Sequence, residues 1–145
     1  MSTYVDAARL LPPATVQRLL GLIQASGAAV HDTVSPLDGS PLASVPQSTP
    51  RDVDAAVARA RAAQPAWAAL GARERGRRLL EFRDLVLARA DHLADVVVSE
   101  TGKARRDAFE EIAHVAMTAR HYGLHGARML ASERRPGMLP VLTRI

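Results

Sequence analysis

The sequence predicts a mainly α-helical fold with one small β-hairpin. Two observations support this prediction. Between about residue 50 and residue 122, apolar side chains recur at intervals of three and four, the spacing of one face of an α-helix. Before them, two short apolar runs at residues 28–34 and 42–45 flank a Pro-Leu-Asp-Gly turn. The 145 residues are enough for one hydrophobic core, so we expect one domain or a piece of one.

Residues 1–27 are predicted to form an N-terminal helical extension that packs on the rest of the chain, residues 28–145. Pro12 and Pro13 suit the first turn of a helix, where a missing N–H leaves no carbonyl without a partner. Gly27 suits the end of that helix. The side chains expected to face inward are Val16, Leu19, Leu20 and Ile23.

The two apolar runs that follow predict a β-hairpin. Pro36 suits the first corner of the turn, and Gly39 suits a position with positive φ. A two-stranded hairpin is only marginally stable by itself. We therefore expect this hairpin to pack against a neighbouring element.

The helix after the hairpin has a clear predicted start. Thr49 is a candidate N-cap, Pro50 suits the first helical position, and the carboxylate of Asp52 can reach back to the free amides. Pro65 is expected to limit the helix, so that Trp67 lies in its last turn or just beyond it. The apolar side of this helix consists of Val53, Val57, Ala60 and Trp67.

Three more helices are predicted. One begins near Ala72, and the next begins with Asp91 as its cap and ends at Gly102. The longest begins at Ala104. The apolar stripe of the helix that begins near Ala72 comprises Leu79, Phe82, Val86 and Ala90. The stripe of the longest helix comprises Ala108, Ile112, Val115, Ala119 and Tyr122. We expect Trp67, Phe82 and Tyr122 to anchor the core, residues 132–140 to form a loop, and residues 141–145 to begin a strand.

Several ordered segments resemble the N-terminal part of the NAD(P)-dependent aldehyde dehydrogenase superfamily. These segments are DVDAAVARARAAQPAW at 52–67, the Arg-rich helix at 73–89, ETGK at 100–103, and the hairpin SPLDGSPLASVP at 35–46. The resemblance covers residues 28–145, and ETGKARRDAFEEI is most similar to the succinate-semialdehyde dehydrogenases. It implies the helical beginning of an α/β cofactor-binding domain, with the chain ending before the Rossmann-like sheet.

The same resemblance implies an oxidoreductase that oxidises an aldehyde, with succinic semialdehyde as a candidate, to the acid with NAD or NADP. The family's catalytic Cys, general base and cofactor-binding residues match no position here, and the sequence has no cysteine and no Gly-x-Gly-x-x-Gly turn. We therefore assign no catalytic and no cofactor-binding residue, and we expect this chain alone to be inactive and to bind no cofactor. Its expected partner is the remainder of the dehydrogenase or a second subunit, in a full-length homo-oligomer.

One ligand site is implied by the resemblance. Some family members hold a monovalent cation at positions that match Thr33 and Glu100, where a backbone carbonyl and a carboxylate would supply oxygen ligands. The family's usual acid is Asp, so Glu100 alters the geometry. The competing interpretation is a helix-end carboxylate that pairs with Lys103 or a nearby Arg.

Two other motifs are interpreted as structural. Thr101-Gly102-Lys103 lacks the earlier glycine and the following Ser or Thr of a phosphate loop, so it is interpreted as a helix terminus. His121 and His125 are four residues apart, a spacing that can hold a metal, but the Glu of the zinc-hydrolase pattern is replaced by Tyr122. With His114, they are interpreted as packing or surface histidines.

Composition leaves three functional hypotheses open. The formal net charge of +4 is spread over helices on which acidic and basic residues alternate, which favours a solvated surface over a nucleic-acid binder. The second hypothesis, a stand-alone helical module that binds a protein partner, stays open beside the dehydrogenase segment. Because we find neither a signal-peptide pattern nor an apolar run of membrane-spanning length, we expect a cytoplasmic protein.

Overall fold

The computed structural model describes residues 10–135 and 143–144. Its helices are α1 (Pro13–Leu20), α2 (Pro50–Ala69), α3 (Gly71–Ala88), α4 (Ala90–Thr101) and α5 (Arg105–Met129). Its strands are β1 (Val30–Val34), β2 (Pro41–Pro46), β3 (Arg134–Arg135) and β4 (Thr143–Arg144). The predicted fold class, mainly α with a small hairpin, is confirmed.

Helix α1 is shorter than predicted. It ends at Leu20, and Gly21 follows as a right-handed cap, so Gly27 does not end it. Ile23 lies beyond the helix and is exposed, although we expected it to face inward. Leu11, just before α1, is buried, and the Arg18 guanidinium lies 3.2 Å from Nε2 of His92 on α4. The first nine residues of the predicted extension lie outside the described residues.

The predicted hairpin is confirmed. Strands β1 and β2 pair antiparallel, with a register shift between Thr33 and Val34. Gly39 has φ of 73°, as its place in the turn required. Ser35 is buried at the start of the turn, where its Oγ accepts a hydrogen bond from the amide of Leu37. Leu37 packs against the hydrophobic core, so the tip of the hairpin contacts the helices.

Helix α2 begins as predicted but runs further. Thr49 and Asp52 form a capping box, with Pro50 at the first helical position. The helix continues through Pro65 to Ala69, although a proline in a helix interior removes one hydrogen bond and crowds the preceding turn. Trp67 lies in the last turn, as predicted. No residue of α2 is buried.

The core lies between α3, α4 and α5. Its buried members are Val86, Ala94, Val98, Ala108, Ile112 and Ala116. Gly102, with φ of 70°, caps the C-terminus of helix α4, as predicted. Asp91 lies within the first turn of α4 and is not its cap, since Arg89 occupies the cap position without a side-chain hydrogen bond.

The prediction that three aromatic residues anchor the core is wrong. Trp67, Phe82 and Tyr122 are 45%, 48% and 52% exposed. Small and β-branched residues fill the core instead, whereas the three rings line open grooves on the surface. The predicted loop at 132–140 is also partly wrong, since Arg134–Arg135 forms a strand that pairs antiparallel with Thr143–Arg144. Residues 136–142 lie outside the described residues.

Candidate functional site: an exposed apolar face on three helices

The N-terminus of α2 is fixed by one carboxylate. Asp52 Oδ2 accepts hydrogen bonds from the amide of Ser26 (3.0 Å), the amide of Thr49 (2.8 Å) and Oγ1 of Thr49 (2.7 Å). The bonds from Ser26 and Thr49 hold the pKa of Asp52 well below its ordinary value, because they stabilise the charged form. The carboxylate therefore ties the loop before the hairpin to the helix after it.

Two glycines allow α3 and α5 to cross at close range. A Cβ atom on Gly76 would lie 2.6 Å from the backbone oxygen of Gly123, and a Cβ on Gly123 would lie 2.7 Å from Cδ2 of Leu80. Gly76 is itself buried. Gly123 thus makes room for the neighbouring helix, and the sequence signal for this crossing is the small residue at 76 within a run of arginines.

The crossing of α3 and α5 leaves an open apolar surface on one side. One groove is lined by Val57 and Trp67 of α2, and a second by Trp67, Leu79 and Tyr122. A third groove contains Leu79 and Tyr122 again, together with Phe82 and Val115, and so continues the second. We call this continuous surface the apolar face; its members are Val57, Trp67, Leu79, Phe82, Val115 and Tyr122. An exposed apolar surface of this continuity is typical of an interaction site.

Charged side chains lie in local pairs. Arg77 donates hydrogen bonds to the carboxylates of Glu74 and Glu81 on α3, and the bond to Glu74 raises the pKa of Arg77. Arg105 at the start of α5 bonds to the carboxylates of Asp91 and Asp95 on α4. These pairs are solvent-exposed and screened by water, so they add little to the stability of the fold.

The two candidate cation ligands lie on elements that meet. Thr33 lies on β1, where its Oγ1 donates to the carbonyl of Ala43 at 2.9 Å, and Glu100 lies exposed in the last turn of α4. The helix end contacts the hairpin, since a Cβ on Gly102 would lie 3.1 Å from Cγ of Pro36. The Thr33–Glu100 site stays a prediction.

The competing interpretation, in which Glu100 pairs with Lys103, is wrong. Lys103 forms an ion pair with Glu111 of α5, and within the described residues Glu100 makes no ion pair. The carboxylate is therefore not taken up by the lysine that follows it. The same segment ends α4 with a left-handed glycine, which confirms that Thr101-Gly102-Lys103 is a helix terminus.

Three histidines, His114, His121 and His125, lie on α5. The rings of His121 and His125 have centroids 5.1 Å apart, and His121 contacts Tyr122 edge-to-face at 5.2 Å. Residues 10–135 and 143–144 contain no group of three or more His, Cys, Asp or Glu side chains placed to hold a metal ion. In that same part of the chain, no helix is long and apolar enough to cross a membrane.

Comparison with known proteins decides the family. The model of the aldehyde dehydrogenase family matches residues 23–142. The chain belongs to the aldehyde dehydrogenase family. The match begins before the hairpin and includes α2 to α5, so it covers every helix that contributes to the apolar face.

Relatives and solved structures of the family agree with this assignment. A Mycolicibacterium smegmatis protein assigned by name as an NADP(+) succinate-semialdehyde dehydrogenase is 45% identical over 102 residues, which are 70% of this chain and 20% of the relative. PnpE, solved in complex with nicotinamide adenine dinucleotide, aligns with a TM-score of 0.75 at 33% identity, over 84% of this chain and 25% of PnpE. Succinate-semialdehyde dehydrogenase from Burkholderia pseudomallei aligns with a TM-score of 0.73 at 30% identity. The alignment covers 80% of this chain and 24% of that enzyme.

The chain spans about a fifth of the length of the curated relatives it matches and a quarter of the aligned structures. Within this span we find no fit to a nicotinamide cofactor. There is no Gly-x-Gly-x-x-Gly turn to receive a pyrophosphate and no cysteine to act as nucleophile. The feature that this span does present is the apolar face.

Proposed function

We propose that this chain is the N-terminal segment of an NAD(P)+-dependent dehydrogenase that oxidises succinic semialdehyde to the carboxylic acid in the cytoplasm. In this proposal the segment supplies no catalytic group. Its role is to cover the cofactor-binding part of the enzyme with α2, α3 and α5. The observation that carries the proposal is the family match over residues 23–142, on helices whose shared apolar face is uncovered.

The choice of substrate rests on the named relatives. The relative with 45% identity and the solved Burkholderia pseudomallei enzyme both carry succinate-semialdehyde dehydrogenase in their names. Names within the family differ in cofactor, since PnpE was solved with nicotinamide adenine dinucleotide and the mycobacterial relative is named for NADP(+). We therefore propose the substrate and leave the cofactor as NAD or NADP.

A chimera tests the proposal. The 102-residue aligned segment of the Mycolicibacterium smegmatis relative is replaced by the matching segment of this chain. We expect the chimera to fold and to reduce NADP+ with succinic semialdehyde, measured at 340 nm, since buried contacts tolerate substitutions that conserve volume. The relative without the segment is the control and should be inactive. A soluble, folded chimera without activity would contradict the proposal.

The purified chain by itself should show no NAD(P)+ reduction with succinic semialdehyde. It contains no thiol to form the thiohemiacetal on which hydride transfer depends. Turnover above the rate without protein, at matched cofactor concentration, would overturn this expectation.

A second candidate is a stand-alone helical module that binds another protein through the apolar face. The observation in its favour is the same exposure of Trp67 and Tyr122. The chimera separates the two, because a surface shaped for an unrelated partner has no reason to complete a dehydrogenase. An active chimera therefore argues against the module.

A further inference from the structure

We propose that His121 and His125 form a two-histidine site on α5 for a borderline divalent metal ion, Cu²⁺, Ni²⁺ or Zn²⁺, with water in the remaining coordination positions. The proposal does not depend on the dehydrogenase function. It begins from sequence spacing, because residues four apart on an α-helix are neighbours on its surface. Imidazole suits each of these three ions.

The separation of the two rings fits a shared ion. Their centroids lie 5.1 Å apart, with the ring planes 58° from each other. Metal–nitrogen bonds of about 2.0–2.1 Å and a tetrahedral angle place the centres of two ligating imidazoles roughly 5 Å apart. The separation of the ring centres is therefore compatible with two imidazoles on one ion.

The surroundings leave the ring nitrogens available and restrain one ring. Within residues 10–135, neither His121 nor His125 makes a hydrogen bond or an ion pair. His121 contacts Tyr122 edge-to-face with ring planes at 85°, which limits the orientations of the imidazole. His125 is half-buried, whereas His121 is exposed, so water can reach the ion from one side.

His114 does not belong to the site. It lies seven residues before His121 on the same helix, a rise of roughly 10.5 Å at 1.5 Å per residue, too far for one ion to bridge. It lies exposed on the same helix and serves as the matched control. With only two protein ligands, selectivity should follow the general order of divalent ions, with Cu²⁺ bound more tightly than Ni²⁺ or Zn²⁺.

The site would stabilise the weakest part of α5. The chelate spans Gly123, and Gly126 follows directly after His125. Glycine lowers helix propensity more than any residue except proline. An ion that bridges residues 121 and 125 would hold this turn helical, so metal binding should raise the melting temperature of the chain.

Isothermal titration calorimetry with copper(II) chloride, in a buffer that does not coordinate metals, tests the site. We expect one equivalent to bind, and His121→Gln and His125→Gln each to weaken binding roughly tenfold or more, since each removes one of two ligands. His114→Gln should keep the affinity of the unmodified chain. The proposal would be overturned if His121→Gln or His125→Gln lowered the copper affinity less than this, or if His114→Gln lowered it as much as they do.

A second measurement uses the unmodified chain and needs no variant to fold. Diethyl pyrocarbonate modification, read by mass spectrometry with and without zinc(II) chloride, reports which imidazoles are shielded. We expect zinc to protect His121 and His125 and to leave His31, His92 and His114 reactive. If zinc protects neither His121 nor His125, or protects His114 to the same extent, the result counts against the site.

Discussion

Replacement of Gly76 by alanine should destabilise the fold through one contact. A Cβ at this position would lie 2.6 Å from the backbone oxygen of Gly123, closer than real Cβ atoms approach a non-bonded heavy atom. The oxygen belongs to the backbone of α5, so it cannot rotate away as a side chain would. Relief therefore requires α3 and α5 to move apart along the crossing that forms the core.

The magnitude follows from two opposing effects. Overpacking at a well-packed contact costs about 1–3 kcal/mol. Alanine is favoured over glycine in a helix interior by about 1 kcal/mol, which offsets part of that cost. Because the obstructing atom is backbone, we place the steric cost in the upper half of its range. The net expected loss in the free energy of unfolding is about 1–2 kcal/mol.

Gly126→Ala is the matched control. It lies in the same helix as Gly123, and a Cβ there would meet no atom within 4 Å. The substitution should therefore show the propensity effect alone and stabilise the chain by about 0.5–1 kcal/mol. Urea unfolding followed by circular dichroism at 222 nm measures both variants. If Gly76→Ala proved as stable as Gly126→Ala, the reasoning about the helix crossing would be refuted.

Three further predictions concern the cap and the core. Thr49→Ala should destabilise the chain by about 1 kcal/mol in urea unfolding, since it removes the capping hydroxyl; no change would contradict the role of the cap. The lowered pKa of Asp52 adds stability that is fully present above its ordinary pKa of 3.8 and is lost as the pH falls through the folded value. The melting temperature of Asp52→Asn should therefore fall less between pH 7 and pH 3 than that of the unmodified chain. Ile112→Ala should cost about 2–5 kcal/mol because Ile112 is buried, whereas Val115→Ala on the apolar face should cost far less, and similar losses would argue against the assigned core.

Local chemistry made parts of the fold predictable from sequence. The start of α2 depends on Thr49, Pro50 and Asp52, which lie within four residues of one another, so the capping box could be identified without tertiary information. The left-handed glycines at 39 and 102 were identified for the same reason. Each of these features is decided by neighbours along the chain.

Features that depend on contacts between distant residues were missed. Helical spacing places Trp67 and Tyr122 on apolar stripes, but it does not say whether another element covers the stripe. The close approach of Gly76 to Gly123 joins residues 47 positions apart, and Gly27 lies close to Gln47 and Thr49, about 20 positions further along the chain. For the same reason the Thr33–Glu100 cation site could be predicted only from the family resemblance.

Sedimentation velocity of the purified chain tests most directly whether the apolar face is built to lie against protein that this chain does not contain. We predict association that increases with concentration and is reduced by the double substitution Trp67→Ser and Tyr122→Ser, because those changes interrupt the apolar face. Leu22→Ser, which alters a 73% exposed leucine away from that face, should leave the association unchanged. A chain that sediments as a monomer at every concentration, with or without the double substitution, would contradict this central claim.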